Sequence, residues 1–168
     1  MVLVLLVGCS VGGGTSVWAV AVGAGGLPPW RGCQLVESDP SDAVTHNSGD
    51  FYDATKPGTA SFTCDGKKVR LDIVRATALS IEGPDTVAPG KELMLALHAT
   101  ADRTDLTLGD HPPVTWSYSG TLEGTGQCKE LSGCTEGGYQ RVRASAPGNG
   151  VATATFGGLT ARYEVTVR

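Results

Sequence analysis

Hydrophobic and polar residues alternate in short runs along most of the chain after residue 28, and glycine, proline and aspartate separate the runs. One regular run carries Leu93, Leu95 and Leu97 at every second position. A period of two places these leucines on one face of a β-strand. The last run, 159–167, alternates in the same way, and no apolar pattern of helical period is long enough for a substantial helix. The sequence therefore predicts an all-β protein.

Two segments of the chain align with each other without gaps over 18 positions. Residues 58–75 match residues 150–167, and five of the aligned positions are identical. Each segment is predicted to form strand, two-residue turn and strand, with Asp65-Gly66 and Gly157-Gly158 as the type I′ turns. This pattern predicts two repeats of one β-module, the first of them truncated. Chance similarity between two ordinary hairpins is the alternative.

The second repeat carries about seven short strands at regular spacing over residues 77–168, with Trp116 on the third of them. Its sequence resembles bacterial immunoglobulin-like domains of the intimin and invasin type, similar to group 2 of that family. The resemblance lies in four places: Val87-Ala88-Pro89-Gly90-Lys91, Val114-Thr115-Trp116-Ser117-Tyr118-Ser119, Ala146-Pro147-Gly148 before Val151-Ala152-Thr153-Ala154, and Val165-Thr166-Val167. It implies an immunoglobulin-like β-sandwich with a structural or adhesive role, and the family has no catalytic residues to carry over.

Two polar insertions depart from the family pattern. They cover residues 102–113 and 120–138, and the second contains a pair of cysteines. Loops on such scaffolds carry most binding functions. The first interpretation is therefore a non-enzymatic structural, adhesive or partner-binding protein. The alternative is an accessory module that binds a carbohydrate or an exported protein through these two loops.

The segment 28–76 is too short for a full sandwich of about 100 residues. It is predicted to be a smaller β half-module tied by a disulfide. Residues 1–27 are assigned to a signal segment and a glycine-rich tether, since the first 30 residues carry no charge. The domain organisation predicted from sequence is therefore 1–27, 28–76 and 77–168.

The apolar run 2–7 is too short to span a bilayer, which needs about 20 residues. It ends in Leu6-Val7-Gly8-Cys9-Ser10, which resembles the lipobox of bacterial lipoproteins and makes Cys9 the candidate for lipid attachment. No lysine or arginine precedes the run, which departs from a signal peptide. Three alternatives stay open: cleavage near Ala19-Val20-Ala21, an uncleaved anchor over residues 2–24, and an apolar strand. All but the last predict an extracytoplasmic protein, which is anchored to a membrane, exposed at the cell surface or secreted.

Cysteine usage agrees with export. Once Cys9 is set aside, Cys33, Cys64, Cys128 and Cys134 are left, which favours two disulfides. Four cysteines allow three connectivities, and neighbourhood in sequence favours Cys33–Cys64 and Cys128–Cys134. Zinc is disfavoured because no Cys-x-x-Cys is present.

Composition narrows the range of partners. The net charge is -4 and the sequence pI is about 5.3, so the chain lacks the basic stripe that nucleic-acid binding needs. No nucleic acid partner is expected. The expected partners are a membrane, reached through a lipid on Cys9, and an unidentified protein or carbohydrate.

Candidate chemistry is sparse. Three histidines, His46, His98 and His111, have no recognisable nucleophile and acid arranged around them, so the chain is predicted not to be an enzyme and to hold no cofactor. Metal binding is not predicted either, although three carboxylates in one insertion are weak calcium candidates. They are Asp102, Asp105 and Asp110. The aromatic residues that could contact a sugar are dispersed: Phe51, Tyr52 and Tyr139.

Overall fold

The computed structural model describes residues 15–28, 32–49, 51–110, 112–127 and 138–168. These residues form fifteen strands and no helix long and apolar enough to cross a membrane. The strands are β1 Ser16–Ala21, β2 Cys33–Asp39, β3 Val44–His46, β4 Tyr52–Ala54, β5 Gly58–Cys64, β6 Lys67–Val74, β7 Ala78–Glu82, β8 Thr86–Val87, β9 Glu92–Ala101, β10 Thr104–Leu106, β11 Thr115–Gly120, β12 Leu122–Gln127, β13 Tyr139–Ala144, β14 Gly148–Phe156 and β15 Leu159–Val167.

The second module is a sandwich of two sheets. One sheet runs β7-β9-β13-β12, with the short β10 also paired to β9 and all pairs antiparallel, and the other runs β8-β15-β14-β11, with β8 parallel to β15. With the strands other than β10 lettered in chain order, this is A-B-E-D on one sheet and A′-G-F-C on the other, the arrangement of an immunoglobulin domain. The predicted immunoglobulin-like sandwich is therefore confirmed by the strand order itself.

Alternation along the strands builds the core of this sandwich. Leu93, Leu95 and Leu97 of β9 are buried, as predicted, while Met94 between them is exposed. On the facing sheet, Tyr163, Val165 and Val167 of β15 are buried in the same way. Burying these side chains drives the two sheets together.

The first module repeats the second sheet of that sandwich. Its main sheet runs β1-β6-β5-β2, in which β1 is parallel to β6, so the order matches β8-β15-β14-β11 strand for strand. The hairpin β5–β6 corresponds to β14–β15, and its turn at Asp65-Gly66 has the positive φ angles (49° and 76°) expected for a type I′ turn. The aligned repeat in the sequence thus reflects a repeated fold.

A second, smaller layer closes the core of the first module. It consists of the hairpin β3–β4 and of residues 23–28, where Leu27 and Tyr52 exchange backbone hydrogen bonds of 2.7 and 2.8 Å. Phe62, Leu71 and Ile73 from the main sheet are buried against this layer. The half-module is therefore a reduced sandwich with its own core.

The first strand begins inside the segment that the sequence assigned to a tether. β1 covers Ser16–Ala21, and residues 23–28 line the core of the first module, where Ala24 and Leu27 have no exposed surface. The folded structure thus starts well before residue 28. The lipid candidate Cys9 lies outside the described residues.

One of the two favoured disulfides is present. Cys33 begins β2 and Cys64 ends β5, and the two are directly opposite each other, with a Cα–Cα distance of 4.1 Å. The bond therefore ties two adjacent strands of the first module together. Cys128 and Cys134 lie outside the described residues.

Candidate functional site: the junction between the modules

Strand β1 is hydrogen-bonded to both modules. One of its edges pairs along its whole length with β6 of the first module. At the other edge, the Ala21 amide donates to the Thr107 carbonyl over 3.1 Å, and the Thr107 amide donates to the Ala19 carbonyl over 2.9 Å. Thr107 follows β10 of the second module. A single parallel β-bridge, Val20–Thr107, with two backbone hydrogen bonds therefore connects β1 of the first module to the second module.

Buried apolar side chains reinforce this β-bridge. Ala21 of β1 shares one core cluster with Leu106, Leu108 and Phe156 of the second module. Phe156 is 1% exposed, and its ring lies against Gly23, where an added Cβ would be 3.4 Å from the ring carbon Cζ. The end of the second module is thus seated on the turn that follows β1.

Gly109 fixes how closely the two backbones approach. A Cβ built on Gly109 would lie 2.1 Å from the Gly25 carbonyl oxygen, a distance that no side chain tolerates. Gly109 also has φ +76°, in the left-handed region that favours glycine. Only glycine satisfies both conditions at this position.

The chain crosses from module to module in three residues, 75–77. The linker is held at both of its ends, because the Val22 amide donates to the Val74 carbonyl over 2.8 Å and the Thr77 amide donates to the Thr100 carbonyl over 2.8 Å. The hydrogen bonds that join the modules here are between backbone groups. The arrangement suits transmission of force or orientation rather than acid–base chemistry.

The insertion 102–113 contributes to this junction. The sequence suggested a binding loop, but Leu106, Leu108 and Gly109 are buried between the modules. The alternation of Leu106 and Leu108 in a polar stretch was the one sequence signal for this role. Residues 102–105 and Pro113 stay exposed, and the turn residues Asp102 and Arg103 have positive φ (48° and 67°).

The three calcium candidates lie along this same insertion. Asp102 is in the β9–β10 turn, Asp105 is in β10, and Asp110 follows Gly109. Among the residues that the structure describes, no three His, Cys, Asp or Glu side chains are grouped so that they could hold a metal ion. The candidates are therefore separate surface or junction residues in this part of the chain.

The histidines and aromatic candidates belong to different modules. His46 Nε2 lies 2.7 Å from the Gly49 carbonyl oxygen, and the His46 ring meets Tyr52 edge to face at 5.3 Å. His98 Nε2 in the second module lies 3.2 Å from Glu82 Oε2 but lacks hydrogen-bond geometry. His111 lies outside the described residues.

The aromatic residues proposed for sugar contact do not form one platform. Tyr52 packs edge to face on buried Phe62 at 5.3 Å, so part of its ring serves the core of the first module, and Phe51 precedes it. Tyr139 starts β13 in the second module and is 38% exposed. Of the 120–138 insertion, the structure describes residues 120–127 and Gly138.

Two tyrosines in the second module have perturbed acidities. Burial raises the pKa of Tyr118 to about 12, and its hydroxyl has no hydrogen-bond partner among the described residues. Burial, and to a lesser degree the Asp85 carboxylate, raises the pKa of Tyr163, whose hydroxyl donates to the Pro84 carbonyl. Tyr163 thus anchors the β7–β8 connection, whereas the hydroxyl of Tyr118 is uncompensated.

These acidities predict a loss of stability in alkaline solution. Both folded-state pKa values lie above the ordinary value near 10, so the stability linked to the two protonated hydroxyls is complete below pH 10 and is lost as the pH rises above it, for Tyr118 through about 12. Tyr118→Phe should remove the part of this alkaline loss that Tyr118 causes. At pH 7, its free energy of unfolding should equal that of the unsubstituted protein or exceed it by up to about 1 kcal/mol. Tyr163→Phe should lower it by about 1 kcal/mol. Urea unfolding between pH 7 and 12 measures both, and equal effects of the two substitutions would contradict the assignment.

Comparison with known proteins gives structural neighbours only. No family model and no curated protein matches this chain. The D00-D0 domain of intimin matches at 13% identity and a TM-score of 0.38, over 82% of this chain and 79% of that one. Domains 5-6 of the S-layer protein SbsC match at 16% identity and a TM-score of 0.36, over 92% and 93%. The β-glucuronidase of Parabacteroides merdae matches at 12% identity and a TM-score of 0.42, over 71% of this chain, which spans only 18% of the enzyme.

Proposed function

We propose that this chain is a non-enzymatic structural spacer of the cell surface, in which two immunoglobulin-like modules act as one stiff unit attached to a membrane through a lipid on Cys9. The observation that carries the proposal is the β-bridge between β1 and Thr107, which joins the two modules by the Ala21–Thr107 and Thr107–Ala19 hydrogen bonds. Adhesion or presentation of a partner at a distance from the membrane is the role that such a unit fits.

Stiffness at this junction is the property that distinguishes the chain from ordinary tandem modules. Domains joined by a linker are expected to move relative to one another unless their interface is large and apolar. Here a three-residue linker, a shared strand and the buried Phe156 all restrict the same motion. A stiff two-module unit holds the end that is farthest from the membrane at a defined position.

Export is supported by the Cys33–Cys64 disulfide, since such bonds persist in oxidising compartments. The position of β1 favours processing at Cys9 over cleavage further along the chain and over an uncleaved anchor. Cleavage near Ala19-Val20-Ala21 would remove a strand that pairs with both modules, and an anchor over residues 2–24 would require the same strand to lie in the membrane. Processing at Cys9 leaves β1 intact.

A second candidate function is an accessory module that binds a carbohydrate or an exported protein. It is supported by Met94 and Tyr139, which are 39% and 38% exposed on neighbouring strands next to the 120–138 insertion. An ion pair between Arg141 and Glu92, at 3.5 Å, borders the two side chains. Binding of glycans by the intact chain would favour this candidate.

One preparation of the full chain from its cellular membrane tests the proposal with two measurements. Mass spectrometry should find an N-terminal Cys9 that carries lipid, and a retained Met1 would contradict the anchor. Amide hydrogen exchange should find the Ala21 and Thr107 amides as protected as Val22, whose amide bonds within the first module. Rapid exchange of Ala21 and Thr107 beside a protected Val22 would show two independent modules and overturn the spacer.

A further inference from the structure

The two modules contain corresponding four-stranded sheets, but the edge strands at the same end of these sheets differ. In the first module the edge strand is β2, where the pairing with β5 shifts between Leu35 and Glu37, and Val36 bulges out with 65% exposure. This strand also carries Glu37 and Asp39 and is followed by Pro40. A bulge, charges and a proline are the devices by which proteins prevent an edge strand from pairing with another chain.

The corresponding edge of the second module has neither the bulge nor the charges, although Pro112 and Pro113 precede it. Strand β11 pairs with β14 in continuous register from Thr115 to Gly120, and the described residues place no strand on its other side. Its sequence is Thr-Trp-Ser-Tyr-Ser-Gly, without a charge or a proline. A regular, uncharged, six-residue edge is a template for pairing with another strand.

The side chains of β11 are complementary to themselves. Thr115, Ser117 and Ser119 are exposed on the outer face, whereas Trp116 and Tyr118 are half-buried on the inner face. If two copies of the strand pair antiparallel about an axis through Ser117, Thr115 faces Ser119 and Trp116 faces Tyr118. Hydroxyls then meet hydroxyls and aromatic rings meet aromatic rings, which are favourable cross-strand pairs.

We infer that β11 is a self-association edge, and that a second copy of this chain pairs with it antiparallel about Ser117. The pairing joins the two β8-β15-β14-β11 sheets into one continuous sheet of eight strands. The partner is a second copy rather than an arbitrary peptide because the order hydroxyl, aromatic, serine, aromatic, hydroxyl reads the same in both directions. An interface of one strand pair is small, so a dissociation constant of about 1 μM or weaker is expected.

Analytical ultracentrifugation of the full chain in mild detergent, at about 1–500 μM to bracket that constant, tests the inference. The chain should form a dimer, and Ser117→Lys should weaken it by about 10-fold or more, because two like charges then meet on the axis. Thr166→Lys, which adds the same charge on β15 of the same sheet, is the matched control and should leave the dimer unchanged. A monomer throughout, or an undiminished Ser117→Lys dimer, would overturn the inference.

A mixing experiment guards against a variant that merely folds poorly. Ser117→Lys and Ser117→Glu should each be mainly monomeric and should form a heterodimer when mixed, because opposite charges then face each other. Circular dichroism should show that both variants are folded. If folded variants do not associate on mixing, Ser117 does not lie on the dimer axis. The result is independent of the spacer, whose test is amide exchange at Ala21 and Thr107.

Discussion

Replacing both cysteines of the first module, Cys33→Ala together with Cys64→Ala, is expected to lower the free energy of unfolding by about 3.5 kcal/mol. The bond closes a loop with a sequence separation of 31. Its loss restores conformational freedom to this loop in the unfolded chain, which stabilises the unfolded state. Both side chains are also nearly buried, so the loss of two sulfur atoms adds a packing cost. Urea unfolding at pH 7 measures the change.

Reduction of the disulfide is the control, because it keeps the volume of the two cysteine side chains and removes only the covalent bond. In a Cys128→Ser/Cys134→Ser background, mild reduction leaves the Cys33 and Cys64 thiols in place and should reproduce most of the loss. A reduced protein as stable as the oxidised one would show that the bond contributes little. Loss of structure in the second module alone would likewise contradict the placement of this disulfide between β2 and β5.

Gly109→Ala is expected to open the junction while each module stays folded. The new methyl group would overlap the Gly25 carbonyl, which forces the backbones apart and breaks the hydrogen bonds between β1 and Thr107. A loss of about 2 kcal/mol at the junction corresponds to about 30-fold faster exchange of the Ala21 and Thr107 amides. The Val22 amide, which bonds to Val74 within the first module, should exchange at its original rate.

Gly90→Ala is the matched control for backbone strain. Gly90 has φ +78°, close to that of Gly109, but nothing lies within 4 Å of an added Cβ. Its replacement should cost only the left-handed penalty of about 1 kcal/mol and leave the Ala21 amide protected. If both variants expose Ala21 equally, the close approach of Gly109 to Gly25 is not what holds the modules together.

The sequence was sufficient to predict the main strands of the second module, but not β10 and β12, which lie in the two predicted insertions. Strands such as β9 and β15 bury one face only, so their alternation marks both the strand and its core side. The repeated hairpins were also predictable, because Asp65-Gly66 and Gly157-Gly158 are residue pairs that type I′ turns require. Local chemistry alone determines these features.

The junction could not be predicted in the same way. Trp18 and Val20 of β1 pack in the core of the first module, whereas Ala19 and Ala21 pack against the second. A strand that is covered on both faces shows no alternation. Its apolar sequence therefore has the composition of a leader or tether. Only the tertiary arrangement distinguishes such a buried strand from a leader or tether.

The short interval between Cys9 and β1 limits how far the protein can stand from a bilayer. If the lipid is on Cys9, the chain between it and Ser16 spans at most about 25 Å when fully extended. A tether that continued to residue 27 would have allowed about 60 Å. The first module would therefore lie close to the lipid headgroups. The distance between the membrane and the far end of the protein would then be set by the length of the two folded modules rather than by a flexible tether.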